Sequence, residues 1–255
     1  MRDATEPAEF DVPIGARHLR VTRCGNGPVN VVFEAGGGCS GADWLPVQRL
    51  LPQVTSWSYD RAGEGASPGN GDWSLDASVR DLRGWLAAVD VTGPVVLVGH
   101  SLGCHIVRAL AAEDPAAASA MLLVDARPPG FERTVLDAGI AIPMPPPGSS
   151  IFKEFTLADD LVSGLPAPAG VAAAAICCER FDGAPGQLSS TDTDVVAGLW
   201  REAQAGVARA IGQPSVLVAP GTGHRVPAEA PDFVASAIRD LLDGRPVTGS
   251  REERA

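Results

Sequence analysis

The chain has a single lysine, Lys153, in 255 residues, and its 20 Lys and Arg face 31 Asp and Glu for a formal charge of −11. So acidic a chain, with no cluster of the cations it has, excludes nucleic acid and anionic membrane surfaces as partners. Arginine in place of lysine, with abundant Ala, Gly, Pro and Val, points to a GC-rich bacterial source and says nothing of function. Long apolar runs are missing too: no uninterrupted span approaches the roughly 20 residues of a membrane helix. Residues 1–11 are polar and acidic, without the basic start and apolar stretch of a signal peptide, so a cytoplasmic location is expected. The five cysteines, at 24, 39, 104, 177 and 178, are odd in number and lack metal-ligand spacing, which implies free buried thiols and no metal. Adjacent Cys177 and Cys178, on an expected strand, point to opposite faces as core packing. The Gly63-Glu64-Gly65 stretch lacks the third glycine and the immediate helix of a dinucleotide fingerprint, so no cofactor is implied.

What is present is an alternation of short apolar runs with helical periodicity, which suits one α/β domain carrying an insertion. Residues 10–23 alternate as antiparallel edge strands closed by the turn at 25–28. Apolar strands follow at 29–33, 54–59, 95–98, 120–124, 171–178 and 216–218. Helices are expected at 42–51, along the stripe Leu75, Val79, Leu82, Leu86 and Val89 with Asp72 or Ser74 as cap, and along Leu102, Ile106, Ala109 and Leu110. Two more are expected at 195–210, bearing Trp200, and from Pro231 to Gly244. Residues 127–170 hold eight prolines and no long period, and read as a lid over the site. Helical pieces near 131–138 and 151–163 would give that lid Phe131, Ile140, Met144, Phe152 and Phe155. The expected organisation is a core at 1–126 and 171–244, the lid between, and a frayed polar tail at 245–255.

Chemistry concentrates where strands end. The run Val95-Val96-Leu97-Val98 passes through Gly99-His100-Ser101-Leu102-Gly103 directly into a helical pattern. Strand, tight turn and helix would hold Ser101 strained and exposed, as a nucleophile needs; the plain alternative is a capping serine at a strand-to-helix turn. A serine hydroxyl needs a base. Of the four histidines, His18 falls on an edge strand, His100 is buried in the turn, and His105 lies one turn along the helix; His224, in a turn after a late strand, is the candidate. The acid that fixes the imidazole is Asp125, at the end of an apolar strand, with Glu179 or Asp182 after the next strand as alternatives. Asp60 is expected to organise its own loop. Gly36-Gly37-Gly38 offers backbone N–H groups to a ligand, so Gly37 and Leu102 are the expected oxyanion donors.

These stretches in this order resemble the α/β-hydrolase superfamily across nearly the whole chain. The likeness rests on Phe33-Glu34-Ala35-Gly36-Gly37-Gly38 with Trp44 beyond, on Tyr59 to Ser67, on the elbow around Ser101, and on Gly223-His224 followed by Pro231. It implies an α/β-hydrolase fold with a mostly parallel central sheet, helices on both faces and a small lid. The order serine, acid, histidine is the family's. Two departures matter: Ala35 stands where many relatives have the histidine of a His-Gly pair, and the strand ending at Cys178 is not followed by Gly-x-x-Asp, which moves the acid to Asp125. A serine at 101 argues against haloalkane dehalogenase or epoxide hydrolase activity, for which relatives use aspartate. The resemblance implies a cofactor-independent serine hydrolase acting on an ester, lactone or thioester of a small neutral or apolar molecule. The alternatives are a lyase, C–C bond hydrolase or cyclase of natural-product metabolism on the same fold, and a non-catalytic ligand-binding member. The oligomeric state stays open.

Overall fold

A computed structural model describes residues 6–69, 72–91, 93–141, 158–181 and 188–248. They build an eight-stranded sheet ordered β1-β2-β4-β3-β5-β6-β7-β8. Strands β1 (Ala8–Ile14) and β2 (Arg17–Cys24) form an antiparallel hairpin, and β2 runs antiparallel to β4 (Thr55–Tyr59). All further pairings, through β3 (Asn30–Glu34), β5 (Val95–His100), β6 (Ala118–Val124), β7 (Ala172–Cys178) and β8 (Leu217–Ala219), are parallel. The turn at 25–28 does not close the hairpin as expected. Residues 15–16 close it, with Gly15 at φ +60°, while Gly25 and Gly27 lie against the backbone of Gln53 and Val54, where no Cβ fits.

Two apolar layers sandwich the sheet. On one face α2 (Leu75–Ala88) and α3 (Gly103–Glu113) bury Leu82, Trp85, Val107 and Leu110. On the other, the short α1 (Leu45–Gln48), which continues a 3-10 turn at Gly41–Trp44, and the final helix bury Trp44, Val47, Val234 and Ile238. Each such side chain, fully withdrawn from water, contributes about 1.5–3 kcal/mol. Ser74, not Asp72, caps α2 by accepting from the Ala77 N–H, and Asp72 in turn holds Ser74. The long helix α5 (Ser190–Ala210) starts earlier than its apolar period because Ser189 caps it, accepting from the Asp192 N–H at 3.1 Å.

Beyond β6, residues near 130 are tied to residue 159. Helix α4 (Phe131–Asp137) follows Arg127, whose guanidinium reaches Glu132 at 2.8 Å and also Asp159, while Asp159 accepts from the Gly130 N–H at 3.0 Å. Residues 158–163 are helical; Met144, Phe152, Phe155 and the rest of the expected second lid helix lie outside the described residues. The chain ends through α6 (Val226–Glu229) and α7 (Pro231–Leu242). Residues 245–248 are not frayed: Arg245 reaches Asp240 at 2.9 Å, and Asp240 also accepts from the Thr248 N–H. Cys177 and Cys178 are both buried, and burial pushes the Cys177 thiol up to about 12, in keeping with a packing role.

Candidate active site

Between β5 and α3 the chain turns on Ser101 alone, at φ +51°. For a serine that conformation costs on the order of 1–2 kcal/mol, held here by packing. Its flanking glycines are required. A Cβ on Gly99 would stand 2.8 Å from the Cys104 backbone, and one on Gly103 would stand 2.5 Å from the carbonyl oxygens of Glu34 and Ala35. The Ser101 N–H donates to Val124 O at 3.1 Å, and Ser101 O accepts from the Arg127 N–H at 3.2 Å, so β6 and the start of the insertion grip the turn.

His224 comes to the same edge of the sheet from the loop after β8. Its Nε2 lies 3.1 Å from Ser101 Oγ, placed to accept that hydroxyl's hydrogen bond, and its Nδ1 lies 2.6 Å from Asp125 Oδ2. Asp125 is fully buried at the end of β6 and, like Ser101, left-handed, at φ +43°. Its other oxygen, Oδ1, accepts from the Cys178 N–H at 3.0 Å and from the Trp200 indole N–H at 2.9 Å. Glu179 turns elsewhere, accepting from the Gly221 N–H at 2.7 Å, so it shapes the His224 turn rather than touching the imidazole. Asp182 lies outside the described residues.

The other histidines are differently employed. His100 donates from Nε2 to the His224 carbonyl at 2.8 Å, and burial, reinforced by the neighbouring His224, lowers its pKa to about 4. His105 donates from Nε2 to Arg127 O at 2.9 Å and is likewise lowered by burial to about 4. His18 is half-exposed beside Asp11.

Gly36-Gly37-Gly38 forms the opposite wall. Gly36 passes so close to the site that a Cβ there would meet His100 Nδ1 at 3.0 Å and the Ser101 Cβ at 3.5 Å. Arg61 holds this loop: Nη1 donates to Ala35 O at 2.5 Å and Glu34 Oε1 at 2.6 Å, and Nη2 to Gly36 O at 2.5 Å. Glu64 pairs with the same guanidinium at 2.7 Å and accepts from the Gly38 N–H at 2.8 Å. Burial raises the pKa of Glu34, against the opposing pull of Arg61 and of the Tyr59 hydroxyl, which donates to it at 2.5 Å. Asp60 does organise its own loop, accepting from Ala66 N–H at 2.7 Å, and it also reaches Gly41 N–H at 2.8 Å. The reading of the sequence missed the Glu34–Arg61–Glu64 cluster. Its available signal was three charges just past the ends of two apolar strands that pair side by side.

Two hollows meet at Gly37. A cleft of about 120 Å³ contains Ser101 and His224, with Cys39, Asp43 and Arg225 on its walls. Burial, with Asp43 beside it, pushes the Cys39 thiol up to about 11, so it stays protonated near neutral pH. Across Gly37 and Leu102 lies a cavity of about 440 Å³ bounded by Trp73, Leu75, Ile106 and Ala158.

Residues 31–237 fit the profile of the alpha/beta hydrolase family, and the chain belongs to that family. It is 36% identical over 129 residues to Lipase LipV of Mycobacterium tuberculosis, a match spanning 49% of each chain, so the alignment reaches about half of that relative. Among solved structures, a thermophilic esterase from Thermogutta terrifontis superposes at TM-score 0.64 with 19% identity, over 94% of this chain and 98% of that one. The epoxide hydrolase CorEH superposes at 0.67 with 15% identity, over 94% and 99%. At such identities the likeness is one of fold.

Proposed function

We propose that the protein is a serine hydrolase that cleaves an ester, lactone or thioester of a small neutral or apolar molecule through an acyl-enzyme on Ser101. The observation that carries this reading is the chain of contacts from Ser101 Oγ to His224 Nε2 at 3.1 Å and from His224 Nδ1 to buried Asp125 at 2.6 Å. In it His224 takes the proton as Ser101 Oγ attacks the carbonyl carbon, and ionised Asp125 stabilises the imidazolium without itself taking the proton. The Gly37 and Leu102 N–H groups receive the developing oxyanion, a contribution typically worth about 100- to 1000-fold in rate per donor. The leaving alcohol or thiol departs with the proton from His224. Water, deprotonated by the same imidazole, then releases the acid.

The two hollows divide the substrate. The narrow cleft suits the leaving group, and the larger cavity, entered past the oxyanion donors, suits the acyl group. Arg61 in that cavity is already engaged by two carboxylates and two carbonyls, and Trp73, Leu75, Ile106 and Ala158 border the same space, which disfavours an anionic acyl group. The test is turnover of short-chain p-nitrophenyl esters and thioesters in water enriched in ¹⁸O. A hydrolase incorporates one labelled oxygen into the acid product, and Ser101→Ala abolishes that incorporation. Turnover without label contradicts the reading in favour of a lyase or cyclase.

A further inference from the structure

Trp200 holds both members of the acid–base pair at once. It is 6% exposed on α5, its indole N–H donates to Asp125 Oδ1 at 2.9 Å, and its ring stands edge-on to the His224 imidazole, with centroids 5.7 Å apart and planes at 86°. We infer that Trp200 is a positioning residue for the Asp125–His224 pair, seated by an aromatic wedge that Phe131 of the insertion and Phe181 complete. The inference rests on the hydrolase reading above for its meaning in turnover, but the coupling it describes exists with or without substrate.

The geometry leaves Trp200 this task. An ionised carboxylate presents about four acceptor sites on two oxygens. Oδ2 of Asp125 is taken by His224; Oδ1 relies on the Cys178 N–H at 3.0 Å and on Trp200. Asp125 has a left-handed backbone, and donors on Oδ1 are what stop its carboxylate from rotating away from the imidazole. Phe131 meets the indole at 4.8 Å and 86°, Phe181 meets it at 5.4 Å, and the two phenyl rings lie 6.0 Å apart, so the indole is packed on its far side by α4 and by the loop after β7. Nothing in helical periodicity marks Trp200 for this; its period assigns it simply to the buried face.

Trp200→Phe keeps an aromatic ring and removes the N–H. With one donor lost, the carboxylate is freer to turn, and its hydrogen bond with the His224 Nδ1–H weakens. The downfield resonance of the hydrogen-bonded Nδ1–H proton of His224 then moves upfield, read by NMR of ¹⁵N-histidine protein without any turnover. Among the described residues, the charged and titratable groups near His224 include neutral His100 with its ring 4.9 Å away, the Asp43–Arg225 pair of the cleft, and Glu229 and Glu179, which accept from the Gly223 and Gly221 N–H groups of the same turn. The substitution leaves all of them in place. In turnover, kcat falls about tenfold while KM stays within about twofold. Phe131→Leu leaves the indole N–H but loosens its seat, and shifts the same quantities in the same direction by less. A His224 Nδ1–H resonance unmoved in Trp200→Phe, with only the thermal midpoint lowered, overturns the inference. A wild-type chain that never turns over an ester while the Nδ1–H resonance still moves on substitution sinks the hydrolase reading and leaves the coupling standing.

Discussion

Asp125 and Glu179 stand just past the ends of neighbouring parallel strands, and a sequence cannot say which of them an incoming histidine will meet. The difference lies in what else each carboxylate binds. Asp125 is fully buried and tied to Cys178 and Trp200, whereas Glu179 sits in the exposed loop beyond β7 and is engaged by Gly221. Asp125→Asn should therefore lower kcat by about 10⁴-fold, since an amide favours the wrong imidazole tautomer, while Glu179→Gln retains activity within about tenfold. Steady-state rates of the two variants check this, and the reverse ranking would reassign the acid. Ser101, His224 and Asp125 were legible because each ends an apolar strand or opens a tight turn, a signal carried by immediate neighbours. Arg61 and Trp200 were not, because Gly36, which Arg61 holds, is 25 residues away and Asp125, which Trp200 holds, is 75 residues away, and no local pattern announces them.

At the scale of elements, most strands and helices followed from apolar runs and 3.6-residue periods, and the errors fell where turns decide. The 25–28 stretch looked like a hairpin turn because it is rich in Gly and Pro, yet the less conspicuous pair at 15–16 closes the hairpin. The helix before β4 proved to be a 3-10 turn with a short α-helical continuation. The elbow is the element whose geometry tolerates least. Since a Cβ at Gly103 would stand 2.5 Å from the carbonyl oxygens of Glu34 and Ala35, Gly103→Ala has to displace either the end of β3 or the start of α3. It should lower the thermal midpoint by several degrees, consistent with roughly 1–3 kcal/mol of overpacking, and reduce kcat far more than KM. A variant with unaltered midpoint and kcat would mean the contact is not tight.

Over the whole molecule, parallel strands with helices on both faces bring residues from β3, β5 and β6 and from the loops after β4 and β8 to one sheet edge. That convergence was readable from the order of motifs; the two hollows that meet at Gly37 were not, because cavities are made by side chains distant in sequence. The same compactness buries His100 and His105 in neutral form. Both have folded pKa values near 4 against an ordinary 6.5, so the unfolded chain takes up protons first as pH falls. Their neutral burial thus leaves stability intact above about pH 6.5, and stability is lost as pH drops from there toward 4. Urea midpoints measured from pH 7.5 down to 4.5 should decline, and His105→Gln should flatten part of that slope; an equally steep slope in that variant would remove His105 from the account.

The central claim is that Ser101 is activated by His224. The most direct measurement is intact-mass analysis after brief exposure to a fluorophosphonate probe, comparing wild type with Ser101→Ala and His224→Ala. The account predicts a single covalent adduct on wild-type Ser101, none on Ser101→Ala, and labelling of His224→Ala slowed by orders of magnitude. An unlabelled wild type, or equal labelling of His224→Ala, would contradict it.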